Sequence, residues 1–291
     1  MNGKSHRVSI RHDRPIDGVT LAICCSVRDA CARAGLPYFI AGAAARDLIL
    51  LHVHGCRTRR ATRDVDFGVA VSSWADFERL KEGLVEHHAF APGNAKHALT
   101  YCPADGAHPI GIDIIPYGGV EETGGHIHWP PHGDDVMNVS GFDVAASHAL
   151  HVEFTEGDAL AVASLPGLVL LKLFAWLDRG TYGAKDAIDL VTIASEYAAA
   201  GQEDRLWDEH PHLVTDAGYD LQVAGALLLA EDVREISPPD TLAELRSALE
   251  TRNALERLIV QETCSRLLPD TDPEESAEVV ALRSFWRRLF G

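Results

Sequence analysis

At 291 residues, 46% of them hydrophobic, the chain is long enough for one large domain or two moderate ones and can bury a substantial core. A formal net charge of −17 excludes passive coating of nucleic acid, because an acidic surface repels a polyphosphate backbone unless cations are gathered locally. Six cysteines without paired metal-ligand spacing fit a reducing cytoplasm, and the longest apolar run is broken by Ser164, Pro166, Gly167 and Lys172, which argues against a membrane span.

The N-terminus carries Lys4, Arg7, Arg11 and Arg14 without an apolar run, so it does not read as a secretory signal. Leu21 to Ala34 has helical periodicity and stops at Gly35; Tyr38 to Ala41 is a short apolar strand, and Gly42 turns the chain. Ala43 to Leu51 is rich in Ala and Leu and predicts a helix ended by Gly55. The basic loop from Arg57 through Arg59, Arg60, Thr62 and Arg63 leads into a second strand, Asp64 to Val71. Ser73 with Asp76 resembles a capping box, and Trp74, Phe77, Leu80 and Leu84 recur at helical spacing, so a helix is expected over Trp74 to Glu86.

Leu99 to Tyr101 and Ile110 to Ile115, separated by Pro103 and Gly106, read as a hairpin. His126 to Asp135 reads as a polar Gly/Pro/His-rich loop, and its three histidines, His126, His128 and His132, lack a convincing fourth ligand for zinc. A further hairpin is expected at Leu150 to Phe154 and Ala159 to Val162, turning at Glu156-Gly157-Asp158. From Pro166 the pattern is helical: Gly167 to Leu177, Ala184 to Ala200, Leu221 to Ala230, Leu242 to Leu267 and Ser276 to Leu289. The fold class expected is α+β, a mixed-sheet α/β domain over residues 1–160 followed by a helical domain over 161–291.

Asp64 and Asp66 lie two apart on a predicted strand, so their carboxylates project from one face while Val65 points to the other. Carboxylates held this close repel unless a cation lies between them, and hard oxygen donors suit Mg²⁺ bridging to substrate phosphates. Asp113 interrupts Ile110-Gly111-Ile112-Asp113-Ile114-Ile115; an acid in so apolar a strand needs a partner or a cation, which makes it the natural third ligand. Metal ions shared by three carboxylates would align an attacking hydroxyl and a leaving pyrophosphate. Upstream, the strand–Gly42–helix turn offers backbone N–H groups to a phosphate.

Ile40-Ala41-Gly42-Ala43-Ala44-Ala45-Arg46-Asp47-Leu48, followed after the basic loop by Thr62-Arg63-Asp64-Val65-Asp66-Phe67, resembles the opening of the DNA-polymerase-β nucleotidyltransferase superfamily. More narrowly, it is similar to the nucleotidyltransferase toxins of the AbiEii type, found in abortive-infection and toxin–antitoxin systems. In that family a Gly-Gly or Gly-Ser turn precedes a helix, a Thr-x-Asp-x-Asp strand follows, and a later Lys and Asp on helices complete the site. Lys172, within Leu168 to Arg179, and Asp186, within Lys185 to Leu190, match that later pair.

The resemblance implies a polymerase-β-like mixed sheet with helices and catalytic roles for Asp64, Asp66, Asp113, Lys172 and Asp186. It also implies a nucleotide site at Gly42, Ala43, Arg46, Thr62 and Lys172, with Mg²⁺ or Mn²⁺ on Asp64, Asp66 and Asp113. The implied partners are an NTP, an acceptor hydroxyl on a tRNA end or a protein, and a cognate antitoxin, in the cytoplasm and without membrane association. Position 43 departs from the pattern: Ala43 stands where many members have Ser or Gly, so a phosphate-binding hydroxyl is lost while backbone donors remain. A small-molecule nucleotidyltransferase of the antibiotic-modifying kind and a non-catalytic nucleotide-binding or partner-binding protein are the competing readings.

Overall fold

A computed structural model describes residues 7–58, 64–103, 106, 108–179, 184–264 and 276–291. Two compact units emerge, one holding Met1–Leu48 with Arg60–Ser164, the other Ile49–Arg59 with Leu165–Gly291.

The first unit is built on a mixed sheet. Its elements in chain order are β1 (Arg7–Ser9), α1 (Gly18–Ala34), β2 (Tyr38–Ala41), α2 (Gly42–Asp47), β3 (Val65–Val71), α3 (Trp74–His87), β4 (Phe90–Pro92), β5 (Ala98–Tyr101) and β6 (Ile110–Gly118). They are followed by β7 (His126–His128), β8 (Val136–Asn138), α4 (Phe142–Ser147), β9 (Leu150–Thr155) and β10 (Asp158–Val162). Eight strands form one sheet in the order β1-β9-β10-β2-β3-β6-β5-β4, and β7 and β8 form a separate hairpin. β3 runs parallel to β6 and antiparallel to β2.

Alternation along β3 sorts its side chains. Val65, Phe67, Val69 and Val71 are all buried, while Asp66, Gly68 and Ala70 belong to the opposite face. On that second face a Cβ at Gly68 would lie 2.4 Å from the Phe39 ring, so the missing side chain admits the cluster of Phe39, Tyr117 and Phe142. Each fully buried Phe or Ile here contributes roughly 1.5–3 kcal/mol over exposure.

α1 begins three residues earlier than its periodicity predicts, because Asp17 accepts from the N–H groups of Val19 and Thr20 and starts the helix there. Ser73 accepts from the Asp76 N–H as expected of a cap and fixes the start of α3. The segment expected as one helix over 43–51 is instead α2 followed by a π-helical turn, Leu48–Val53. Its change of winding falls where the first unit gives way to the second.

The expected polar loop at 126–135 is corrected to most of a hairpin. Ile127 and Trp129 are buried, and Trp129 packs against Trp74 and Phe77 at ring separations of 5.1 and 5.5 Å, so an aromatic anchor rather than solvent sets its conformation.

The second unit contains α5 (Leu165–Arg179), α6 (Lys185–Glu196), α7 (Glu203–Asp208), α8 (Pro211–Asp216), α9 (Leu221–Ile236), α10 (Pro239–Thr251), α11 (Ala254–Cys264) and α12 (Ala277–Phe290). Val279, Leu282, Phe285 and Leu289 recur at helical spacing and are buried where α12 packs on α9 and α6. The helix expected over 242–267 is broken: Asn253 takes φ 50°, and the chain restarts as α11. A buried polar clamp joins α6, α7 and α9, in which Asp232 accepts from the Tyr197 hydroxyl and from Arg205 Nη1 and Nη2 at 2.9 and 2.8 Å. Among the described residues no helix is long and apolar enough to cross a membrane.

Candidate active site

The pairing register of the sheet brings two of the expected acids together. Asp66 on β3 stands directly opposite Asp113 on β6, and neighbouring strands lie roughly 4.8 Å apart, so the two carboxylates leave the sheet side by side. Asp64, expected as the first residue of this strand, lies one residue before β3 begins. Its Oδ1 lies 3.5 Å from where a Gly111 Cβ would be, so the glycine of β6 leaves room beside it. On the other face Val65, Phe67, Ile112 and Ile114 are almost completely buried. A slip of one residue would exchange these apolar side chains with the acids, which is why the register is held.

Gly42 closes the other side of Asp66. Ala41, the last residue of β2, pairs with Asp66, and the next residue turns into α2 with φ +63°. A Cβ at that position would sit 1.7 Å from Asp66 Oδ2. The turn therefore needs glycine twice, for its left-handed backbone and for the carboxylate that occupies the side-chain space.

The remaining nucleotide-site candidates fare differently. Ala43 is buried at the start of α2. Arg46 is only 1% exposed, and its Nη2 and Nε lie 2.7 and 2.9 Å from Asp47 Oδ1, so its guanidinium is bound internally instead of standing open to solvent. Arg57 is exposed, whereas Arg59, Arg60, Thr62 and Arg63 lie outside the described residues.

One neighbour of the acids was not foreseen. His97 Nε2 lies 3.8 Å from Asp113 Oδ1, with the His97 ring against Trp129 at 5.8 Å and the His97 carbonyl accepting from the Ile114 N–H. A register for the predicted hairpin would have found it, since Ala98 pairs with Asp113. Asp113 keeps 40% of its side chain exposed. The three aspartates are hard oxygen donors, the chemistry that suits Mg²⁺ or Mn²⁺, but their carboxylate oxygens do not all lie within 4.8 Å of one another, so an ion bound to all three would have to draw them together.

Lys172 and Asp186 belong to the helical unit. Lys172 Nζ lies 3.0 Å from Asp186 Oδ1 and 2.7 Å from Asp189 Oδ2, and Asp189 is fully buried. The lysine expected either to meet phosphate or to snorkel into water is therefore enclosed between two carboxylates. Burial opposes its charge, but Asp186 and Asp189 outweigh that penalty and hold the ammonium above its ordinary pKa.

The family described as Nucleotidyl transferase AbiEii toxin, Type IV TA system, matches residues 48–282. Gly42 and Ala43 precede the matched stretch. A comparison with curated proteins gives no match. Among solved structures the chain is similar to an antigenic nucleotidyltransferase-like protein from Paracoccidioides brasiliensis, at 15% identity over 69% of this chain and 93% of that one, with a TM-score of 0.41. It is also similar to JHP933 from Helicobacter pylori, at 15% identity over 94% of both chains and a TM-score of 0.36. A third similarity, to the antibiotic-resistance factor ANT(2'')-Ia, has 14% identity over 70% of this chain and 98% of that one, with a TM-score of 0.36. At these values no residue role passes from those structures to this chain. The family match spans well over half of the sequence, and the protein belongs to the AbiEii family as a nucleotidyltransferase.

Proposed function

We propose that the protein transfers an NMP group from an NTP to an acceptor hydroxyl on a macromolecule, an RNA end such as that of tRNA or a protein side chain. We further propose that it acts in the cytoplasm as a toxin restrained by a cognate antitoxin. The acceptor oxygen would bond to the α-phosphorus as the bond to the β-phosphate oxygen breaks, pyrophosphate leaves, and the acceptor proton passes to a carboxylate of the site. The observation that carries this reading is the register of Asp66 against Asp113, with the Asp66 carboxylate filling the space over Gly42.

Asp64, Asp66 and Asp113 would hold Mg²⁺ or Mn²⁺. Bound there, such ions would supply charge neutralisation at the attacking and leaving oxygens. The backbone N–H groups at Gly42 and Ala43 would face the triphosphate, a role that needs no hydroxyl at position 43. Roles for Thr62 in nucleotide binding and for Lys172 and Asp186 in the reaction rest on the family resemblance. The ion pair between the latter two supports a fixed charge arrangement in the helical unit.

Incubation with each radiolabelled NTP, Mg²⁺ and either total RNA or cell lysate tests the reading. Label carried onto RNA or protein is the expected result. Label on a small molecule alone would replace the acceptor class, and nucleotide binding without any transfer would overturn the catalytic reading.

A further inference from the structure

The helical unit carries a second cluster, which nucleotidyl transfer does not use. His210 and His212 flank Pro211 at the first turn of α8, and Glu231 lies on α9. One ligand atom from each of these three side chains lies within 4.8 Å of the other two. Among the described residues no other group of three His, Cys, Asp or Glu side chains meets that distance.

The cluster is braced from both sides. The His210 N–H donates to the Arg205 carbonyl at 2.9 Å, and the His210 carbonyl accepts from the Leu213 N–H at 2.9 Å. Pro211 between the histidines restricts their backbone further. His210 Nδ1 faces Glu231 Oε2 at 3.4 Å, while the other carboxylate oxygen, Oε1, accepts from Arg288 Nε at 3.1 Å and from its Nη2. Arg288 thus orients the carboxylate and leaves Oε2 turned toward the imidazoles, the arrangement by which an outer partner fixes a metal-binding carboxylate.

We propose that His210, His212 and Glu231 bind one Zn²⁺ ion. Two imidazoles and a carboxylate are a zinc donor set that leaves a fourth position open to water, whereas Mg²⁺ favours all-oxygen ligation. Bonds of about 2.0–2.2 Å place tetrahedral donors roughly 3.3–3.6 Å apart, so the site must contract slightly. His212 is exposed and free to make that adjustment. The ion would join the start of α8 to α9, and so stabilise the helical unit by an amount that grows with the logarithm of free Zn²⁺ once that exceeds the dissociation constant.

Titration calorimetry of Zn²⁺ into the untagged, chelator-treated full chain, with millimolar Mg²⁺ present throughout, tests this. One Zn²⁺ per chain is expected. His212→Ala should weaken binding by about 100-fold or more, because it removes a ligand, and Arg288→Met by about 10–100-fold, the usual cost of losing an outer partner. His151→Ala, at an exposed strand position, should bind as wild type. Glu231→Gln, nearly unchanged in shape, supplies a second ligand variant if circular dichroism shows His212→Ala to be misfolded. Absence of a one-to-one complex in the wild type overturns the proposal, as does unchanged binding by a folded ligand variant. The titration contains no NTP, so its failure leaves the nucleotidyl-transfer reading untouched.

Discussion

Gly42 and Asp66 constrain each other atom by atom: the carboxylate oxygen lies 1.7 Å from the point a Cβ would occupy, on a backbone with φ +63°. Gly42→Ala must either displace Asp66 or distort the turn. The strained backbone alone costs about 1–3 kcal/mol, measurable by denaturant unfolding, and transfer should fall further than that loss of stability accounts for. Lys172 makes a second prediction. Lys172→Met would leave Asp186 and the fully buried Asp189 without their shared cation, a loss of about 3–5 kcal/mol in the same assay. The folded pKa of Lys172 lies above its ordinary 10.5, so its contribution is complete below that pH and is lost only as pH rises through the folded value. The wild-type stability profile should therefore carry no Lys172 slope through neutral pH and should show a decline in alkali that the variant lacks. The pattern Asp64-Val65-Asp66 and the acid inside an isoleucine strand are visible in the sequence, because side-chain alternation is local. The confinement of Arg46 by Asp47 and the approach of His97 to Asp113 are not, because they depend on rotamers and cross-strand register.

Elements with a cap or a strong period were legible before any coordinates. Ser73 before Trp74, Gly35 after Ala34, and the Glu156-Gly157-Asp158 turn all carry their physical reason in a few adjacent residues. Three features escaped for the opposite reason. β1 exists through parallel pairing with β9 far along the chain, the π-helical turn at Leu48–Val53 is a change of winding within one continuous run of helix-forming residues, and the β7–β8 hairpin is held by Trp129. That last cause can be removed. Trp129 is 3% exposed, so Trp129→Ala should cost about 3–5 kcal/mol and speed proteolysis within 126–138; unchanged stability and cleavage would show that the hairpin does not depend on its anchor.

At the scale of the whole molecule, composition indicated a large apolar core and the turn of periodicity after Pro166 indicated a helical second half, but neither could order eight strands whose pairings are mostly non-local. Nor could a local pattern show that 49–59 clusters with the helical unit. Burial also governs the thiols. Cys24 and Cys31 are pushed up to about 12 by desolvation, while Cys102 is exposed. Iodoacetamide at mildly alkaline pH should label Cys102 well before Cys24 and Cys31 in the native protein, and peptide mass spectrometry would read the order. The central claim concerns the acids. Asp66→Asn removes one charge with little change of volume, and if Asp66 holds a metal ion it should lower NMP transfer by at least about 100-fold, about 2.7 kcal/mol of transition-state stabilisation. Unfolding measured on the same sample should show a native fold. Near-normal Mg²⁺-dependent transfer by folded Asp66→Asn protein would contradict the account.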